Sequence, residues 1–402
     1  GQWYLVRWGG TRKGSGTFYT RPQLSVPTVH RTLRPLAFIA PADNADAPTA
    51  AWTPKKPEEI LALKVCDPAV GSGSFPVAAL RFLTDALYRS LEHHGRLRDE
   101  GNKTVIALAE GRESAGRLDE DLLPCRPTDA DFEPRLKARL RRYVVERCLY
   151  GVDLDPLAIE LAKIALWIET MDRELPFSFL DHKFKCGNAL VGCWFDRFRH
   201  YPIMAWLREG GDKSHTTGVH FAKEARTKAI AKHLKDVIKP DLVAMIDRMR
   251  GQGDLFTADG KTAEEVHDEA LSILEKMHAL APGEDGEFQR AELHRQLRES
   301  PAYVALKRAF DCWCALWFWP ADQLAAAPKP STFTSLSPEA IEAAERIARE
   351  RRFFHWELEF PDVFAAKTVG DQSATGFSAI IGNPPWDISK PNSKEFFSSI
   401  DP

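Results

Sequence analysis

What the sequence lacks narrows the field first. No apolar run approaches the ~20 residues a membrane-spanning helix needs, and no signal-peptide pattern is visible. Seven cysteines, an odd number without framework spacing, argue against a disulfide scaffold and for reduced thiols in the cytoplasm. Cys312 and Cys314 form a Cys-x-Cys with no second pair, a poor zinc site, and no metal is expected. Net charge is only −3, so the chain as a whole is no polyanion binder. What is present is 402 residues with 44% hydrophobic content, enough for a real core in two or three domains.

Charge is uneven along the chain. Residues 1–42 carry Arg7, Arg12, Lys13, Arg21, Arg31 and Arg34 and no acidic residue. Arg135, Lys137, Arg139, Arg141 and Arg142 form a second cluster. Either can contact phosphate; a solvated helix face also accounts for the second. The chain begins at Gly1 and ends at Pro402 soon after its last strand, and it reads as a piece of a longer polypeptide.

Two phosphate loops are absent where one is sought. Leu63 to Phe75 reads as a short strand ending in Asp67, then Pro68-Ala69-Val70-Gly71-Ser72-Gly73-Ser74-Phe75 opening a helix. A P-loop ends in Lys-Ser/Thr, which is missing. A dinucleotide fingerprint needs a third glycine where Pro76 stands. Gly71 and Gly73 still allow close backbone approach to a ligand. Leu80, Leu83, Leu87 and Leu91 recur at helical spacing and supply the buried face of the helix that follows.

The organising stretch is Phe377-Ser378-Ala379-Ile380-Ile381-Gly382-Asn383-Pro384-Pro385-Trp386. It reads as a buried strand stopped by two prolines, which cannot donate to a ladder. Asn383 and the carbonyl at Pro384 offer two acceptors for an amino group, and Trp386 offers a stacking face. An ordinary Pro-rich turn is the plain alternative. Between these landmarks lie a strand Cys148–Asp153 and a helix after Asp155-Pro156, packed by Ile159, Ala162, Ile164, Ala165 and Trp167. Asp153 at the strand tip suits ribose hydroxyls; Asp155 suits an N-cap. Phe184–Gly192 holds Asn188 and Ala189, and an Asn in a tight turn is the plain reading. Residues 41–58 read as an irregular linker and 92–134 as a polar surface insertion. Residues 197–350 read as largely helical, with a start at Ser337-Pro338. His355 has no evident partner and reads as a satisfied residue on an edge strand.

Taken together, these motifs resemble the gamma class of DNA adenine-N6 methyltransferases. Asp67-Pro68-Ala69-Val70-Gly71-Ser72-Gly73-Ser74-Phe75 is similar to that class's S-adenosylmethionine loop. Gly16-Thr17-Phe18-Tyr19-Thr20 resembles its Gly-x-Phe-Tyr-Thr-Pro motif, with Arg21 displacing the proline to Pro22. Asn383-Pro384-Pro385-Trp386 resembles the catalytic Asn/Asp-Pro-Pro-aromatic turn. The long insertions and Phe354–Pro361 are most similar to type IIG restriction-modification enzymes and the methylase of the DISARM phage-defence system. Pro391–Phe397 tilts the likeness toward the latter.

The resemblance implies a Rossmann-like α/β methyltransferase sheet with large helical insertions, incomplete at the C-terminus. Its parts would be a basic segment at 1–58, a cofactor core at 59–196, a helical insertion at 197–350 and a catalytic strand at 351–402. It implies Tyr19, Thr20, Asp67, Pro68, Ala69, Gly71, Gly73, Phe75, Asp153, Leu154, Asn188 and Ala189 as cofactor contacts. Asn383, Pro384, Pro385 and Trp386 would be catalytic. Implied partners are double-stranded DNA and other defence-system subunits, with no membrane. An RNA or protein-glutamine methyltransferase, or a non-catalytic DNA- and cofactor-sensing subunit, stays open beside this reading.

Overall fold

A computed structural model describes residues 19–42, 44, 47–109, 120–170, 180–198, 200–210, 224–248, 272–273, 284–333, 336–364 and 376–384. Pro385, Trp386 and the glycine-rich run 14–18 lie outside the described residues.

Helix α1 (Pro22–Ala37) starts with proline at its first position and buries Val29, Leu33 and Ala37. Strands β1 (Phe38–Ile39) and β2 (Thr53–Pro54) then pair antiparallel. The stretch 41–58 is therefore no free linker. Trp52 is buried, its Nε1 donates to the Ala47 carbonyl at 3.0 Å, and the Arg34 guanidinium stacks 4.3 Å from its ring. Burying an indole fixes what the prolines alone would leave irregular.

Strand β3 (Val65–Asp67) leads into helix α2 (Ser74–His93), whose Leu80, Leu83, Leu87 and Leu91 are all fully buried. The expected surface insertion is a three-stranded antiparallel meander of β4 (Leu97–Asp99), β5 (Thr104–Ala107) and β6 (Glu120–Leu123). Ile106, Leu123 and Cys125 join the main core, so part of it is interior. Helix α3 (Phe132–Cys148) carries the second basic cluster. Four of its five cations pair with protein carboxylates: Arg135 with Asp131, Lys137 with Asp85 and Glu133, Arg139 with Asp121, and Arg142 with Glu146, while Arg141 donates to the Glu169 carbonyl.

Strand β7 (Leu149–Asp153), helix α4 (Pro156–Thr170) and strand β8 (Phe184–Cys186) follow. Ile159 and Ala162 face the core as expected and Trp167 packs against it, but Ile164 is exposed. With Leu157, Leu161 and Ile168 it lies on the outer face of α4; a helix apolar on two sides cannot reveal from sequence which side is covered.

The insertion contributes helices α5 (Glu224–His233), α6 (Lys239–Arg248), α7 (Glu284–Glu299), α8 (Pro301–Ala315) and α9 (Pro338–Arg351). Ser300 and Ser337 cap α8 and α9 by accepting the N–H of Tyr303 and Ala340. The insertion builds a second core that includes Trp206, Leu306, Phe310, Cys312 and Cys314.

The chain returns through α10 (Trp356–Glu359) and α11 (Pro361–Phe364) to β9 (Ala379–Ile380). The central sheet is parallel, in the order β8-β7-β3-β9. Side chains alternate across it. Val65, Leu149 and Phe184 meet α2, α3 and α4; Cys66, Tyr150 and Val152 meet Phe354, Phe360 and Val363. Under that second face, Lys183 bonds the Tyr150 hydroxyl at 2.7 Å and Asp362 at 2.9 Å. Two expectations change here. Strand β9 is not buried, since Ile380 is 67% exposed and β9 is the edge among the described strands. His355 sits on no strand: it caps α10 at 0% exposure and meets Asp311.

Candidate active site

Successive strands β3, β7 and β8 run one way from the middle of the sheet, and β9 returns on the other side of β3. Chain order reverses between β3 and β9. Open α/β sheets leave a crevice at the carboxyl ends of such strands, and the motif residues gather there.

On the β3 side, Asp67 is 2% exposed. Its Oδ1 accepts the Ala69 N–H at 3.1 Å, while Oδ2 is buried with no partner among the described residues. Burial raises the carboxyl to about 7; the Ala69 hydrogen bond opposes this and the charge of Asp153 adds to it. Pro68 and Ala69 are half-buried, and Phe75 is packed in the core. Gly73 has φ +88°, and a Cβ there would press on Ala162 at 3.2 Å, so the turn into α2 fits against α4 only without a side chain.

The Asp153 carboxylate staples two loops together. Oδ2 accepts the N–H of Gly71 at 2.8 Å, and Oδ1 accepts that of Asp155 at 2.8 Å. Each oxygen keeps a lone pair for a further donor. Asp155 accepts the Leu157 N–H at 3.0 Å, the capping role expected of it. Leu154 is exposed beside this tip.

At the end of β8, the Gly187 N–H bonds the Asp153 carbonyl at 2.8 Å. The Asn188 Oδ1 accepts the Leu190 N–H at 3.1 Å, closing its own turn, and the Asn188 N–H reaches the Arg352 carbonyl. The Ala189 carbonyl accepts Trp356 Nε1 at 3.0 Å.

Strand β9 is in parallel register, Val65 opposite Ala379 and Cys66 opposite Ile380. The Ile381 N–H bonds the Cys66 carbonyl at 2.9 Å, carrying the pairing up to Gly382. Asn383 is half-buried and Pro384 is exposed. Thr20, buried ahead of α1, accepts a hydrogen bond from Asn383 Nδ2 at 3.2 Å. Tyr19 is 67% exposed and turns its ring to solvent.

The corners built on Asp67, Gly71, Asp153 and Asn383 thus share one rim, with Asn188 at its far side. Two neighbours were not foreseen. The first is the Thr20–Asn383 contact, which spans nearly the whole chain. The second is Arg352, at φ +54°, whose guanidinium donates to the Leu154 carbonyl and reaches Cys186 Sγ at 3.8 Å. No local pattern around Arg352 marks it.

A Methanocaldococcus jannaschii protein described as a type II restriction enzyme and methyltransferase is 23% identical over 360 residues. That match takes in 86% of this chain and 24% of the relative, so the chain spans about a quarter of that relative's length. The profile of the Eco57I restriction-modification methylases matches residues 147–401, from the end of α3 through and beyond the Asn-Pro-Pro-Trp turn. The chain belongs to the Eco57I restriction-modification methylase family.

Proposed function

We propose that this chain is the methyltransferase core of a DNA restriction-modification or phage-defence protein, and that it methylates adenine N6. One observation carries the reading: the Asp67–Gly73 loop and the Gly382–Asn383–Pro384 turn abut at the reversal point of one parallel sheet. Two reactants held at one rim can exchange a group without a covalent enzyme intermediate.

S-adenosylmethionine would supply a methyl whose bond to sulfur breaks, its electrons staying on sulfur, as the amino nitrogen forms the new bond and sheds a proton. The residues present fit this cofactor. A buried carboxylate oxygen without a donor, Asp67 Oδ2, suits the methionine ammonium. Asp153 suits the ribose, and Leu154, Asn188 and Ala189 border the adenosine end. Asn383 and the Pro384 carbonyl accept from the target amine and favour the positive charge growing on nitrogen. Trp386 would offer its ring to the base for stacking. An adenine in duplex DNA must leave the helix to reach this corner.

The gamma-class order of motifs favours adenine over cytosine or glutamine, and the segment after Trp386 favours a DISARM-type methylase. The test is expression of the full-length gene followed by single-molecule sequencing of host DNA. Methylated adenine in a defined sequence context is expected. Unmodified DNA together with a methylated RNA or glutamine product would move the chain to another substrate class.

A further inference from the structure

We infer that Thr20 is a positioning residue for methyl transfer, holding the Asn383 amide in the one orientation that can accept from the target amine. The inference rests on the amino-methyltransferase reading above and assigns Thr20 a task other than contacting cofactor.

An asparagine side chain has two ends of nearly equal shape and opposite function. Only Oδ1 can accept a hydrogen from the substrate's amino group; Nδ2 in its place would repel it. Something must therefore engage the NH2 end. Thr20 Oγ1 accepts from Asn383 Nδ2 at 3.2 Å, which engages the NH2 end of the amide. Thr20 itself is held in place. It is only 9% exposed, it directly precedes the α1 turn in which Leu24 and Ser25 donate to the Arg21 carbonyl, and α1 is anchored through Val29 and Leu33. Its neighbour Tyr19 is exposed, so the hydroxyl of Thr20 is the group that this segment delivers to the corner. The N-terminal run thereby completes a turn more than 360 residues away in sequence.

The experiment compares Thr20→Val, which keeps the shape and loses the hydroxyl, with Thr20→Ser, which keeps the hydroxyl, in the full-length protein. Expected for Thr20→Val is a kcat lower by about tenfold or more, the loss of roughly one hydrogen bond, with KM for DNA and Kd for cofactor within threefold. Thr20→Ser should stay within threefold of wild type in all three. Should Thr20→Val fail to fold, Thr20→Ala is measured beside Thr20→Ser. A weaker cofactor Kd with kcat unchanged would assign Thr20 to the cofactor and overturn the inference. So would an equal loss in the serine and valine variants. An unaltered Thr20→Val enzyme overturns this inference alone, whereas a wild-type protein that transfers no methyl group overturns the parent reading with it.

Discussion

A methyl group on the α-carbon of Gly382 would lie 2.5 Å from Oδ1 of Asp67. The acid at the end of β3 and the glycine before the Asn-Pro-Pro turn are thus in direct contact, side by side where two paired strands end. Gly382→Ala must displace either the Asp67 carboxylate, which is tied to the Ala69 N–H, or the end of β9. A shift of about 1 Å at such a corner costs on the order of 10²-fold in rate. Steady-state methylation should show that loss while the circular dichroism spectrum stays that of wild type.

Asp67 sets a pH dependence whose sign is determined. Its carboxyl is raised to about 7 from an ordinary 3.8. The folded state therefore holds a proton that the unfolded chain releases, and stability falls as pH rises from about 4 to about 7. The loss is on the order of 1.4 kcal/mol per unit across that window. Asp67→Asn removes the burden, so the variant should unfold at higher denaturant than wild type at pH 8 and match it more closely at pH 4. An ammonium bound at Oδ2 favours the ionised form, so the same variant should bind S-adenosylmethionine more weakly. Wild-type affinity should also decline as pH drops below about 7, with proton release on binding seen by calorimetry in buffers of different ionisation heat.

Asp153 differs from Asp67 because both its oxygens already hold backbone N–H groups, those of Gly71 and Asp155. Asp153→Ala frees both loops at once. Expected are a cofactor Kd weaker by about tenfold or more and a stability loss of about 1–3 kcal/mol. An unchanged calorimetric Kd would remove Asp153 from the cofactor site.

Asn383→Ala touches neither loop. It should leave cofactor affinity near wild type and lower methyl transfer by about 10²-fold or more. Tritiated methyl incorporation close to wild type would withdraw the assigned role.

The corners were legible because each is written in adjacent residues: an acid at a strand end, glycines where the turn enters a helix, prolines where a strand must stop. Their meeting at one rim follows from parallel pairing of β3 with β9, which local pattern does not contain. The failures have the same origin. Trp52 looked like part of a loop because its packing partner, Arg34, belongs to another element. Ile164 looked like core because α4 is apolar on two sides and only the tertiary structure chooses between them. His355 looked unpartnered because Asp311 stands 44 residues earlier, on α8.

That pair is one of the ties between α8 and the segment that returns to the sheet. His355 Nδ1 accepts the Cys193 N–H at 3.0 Å, which places the ring proton on Nε2, 3.0 Å from Asp311 Oδ1. Burial alone would raise the Asp311 carboxyl, but the His355 hydrogen bond and the Lys307 charge outweigh it and hold it below its ordinary range. The two residues before His355 reach the two cores: Phe353 lies in that of the insertion and Phe354 under the sheet. Phe354 also donates its N–H to the Val191 carbonyl, beside the Asn188 turn. His355→Leu would leave a buried carboxylate oxygen and a buried N–H without partners, at a cost of about 3 kcal/mol or more. The double variant His355→Leu, Asp311→Leu should cost less than the sum of its singles, because the orphaned charge goes with it. Asp311 stabilises the fold above its ordinary pKa, and that contribution fades as pH falls toward its lowered value. Asp311→Asn should therefore flatten the acid limb of the stability curve below about pH 4. A cycle with no coupling energy, or an acid limb as steep as wild type, would show that the insertion is held to the methyltransferase core by other contacts.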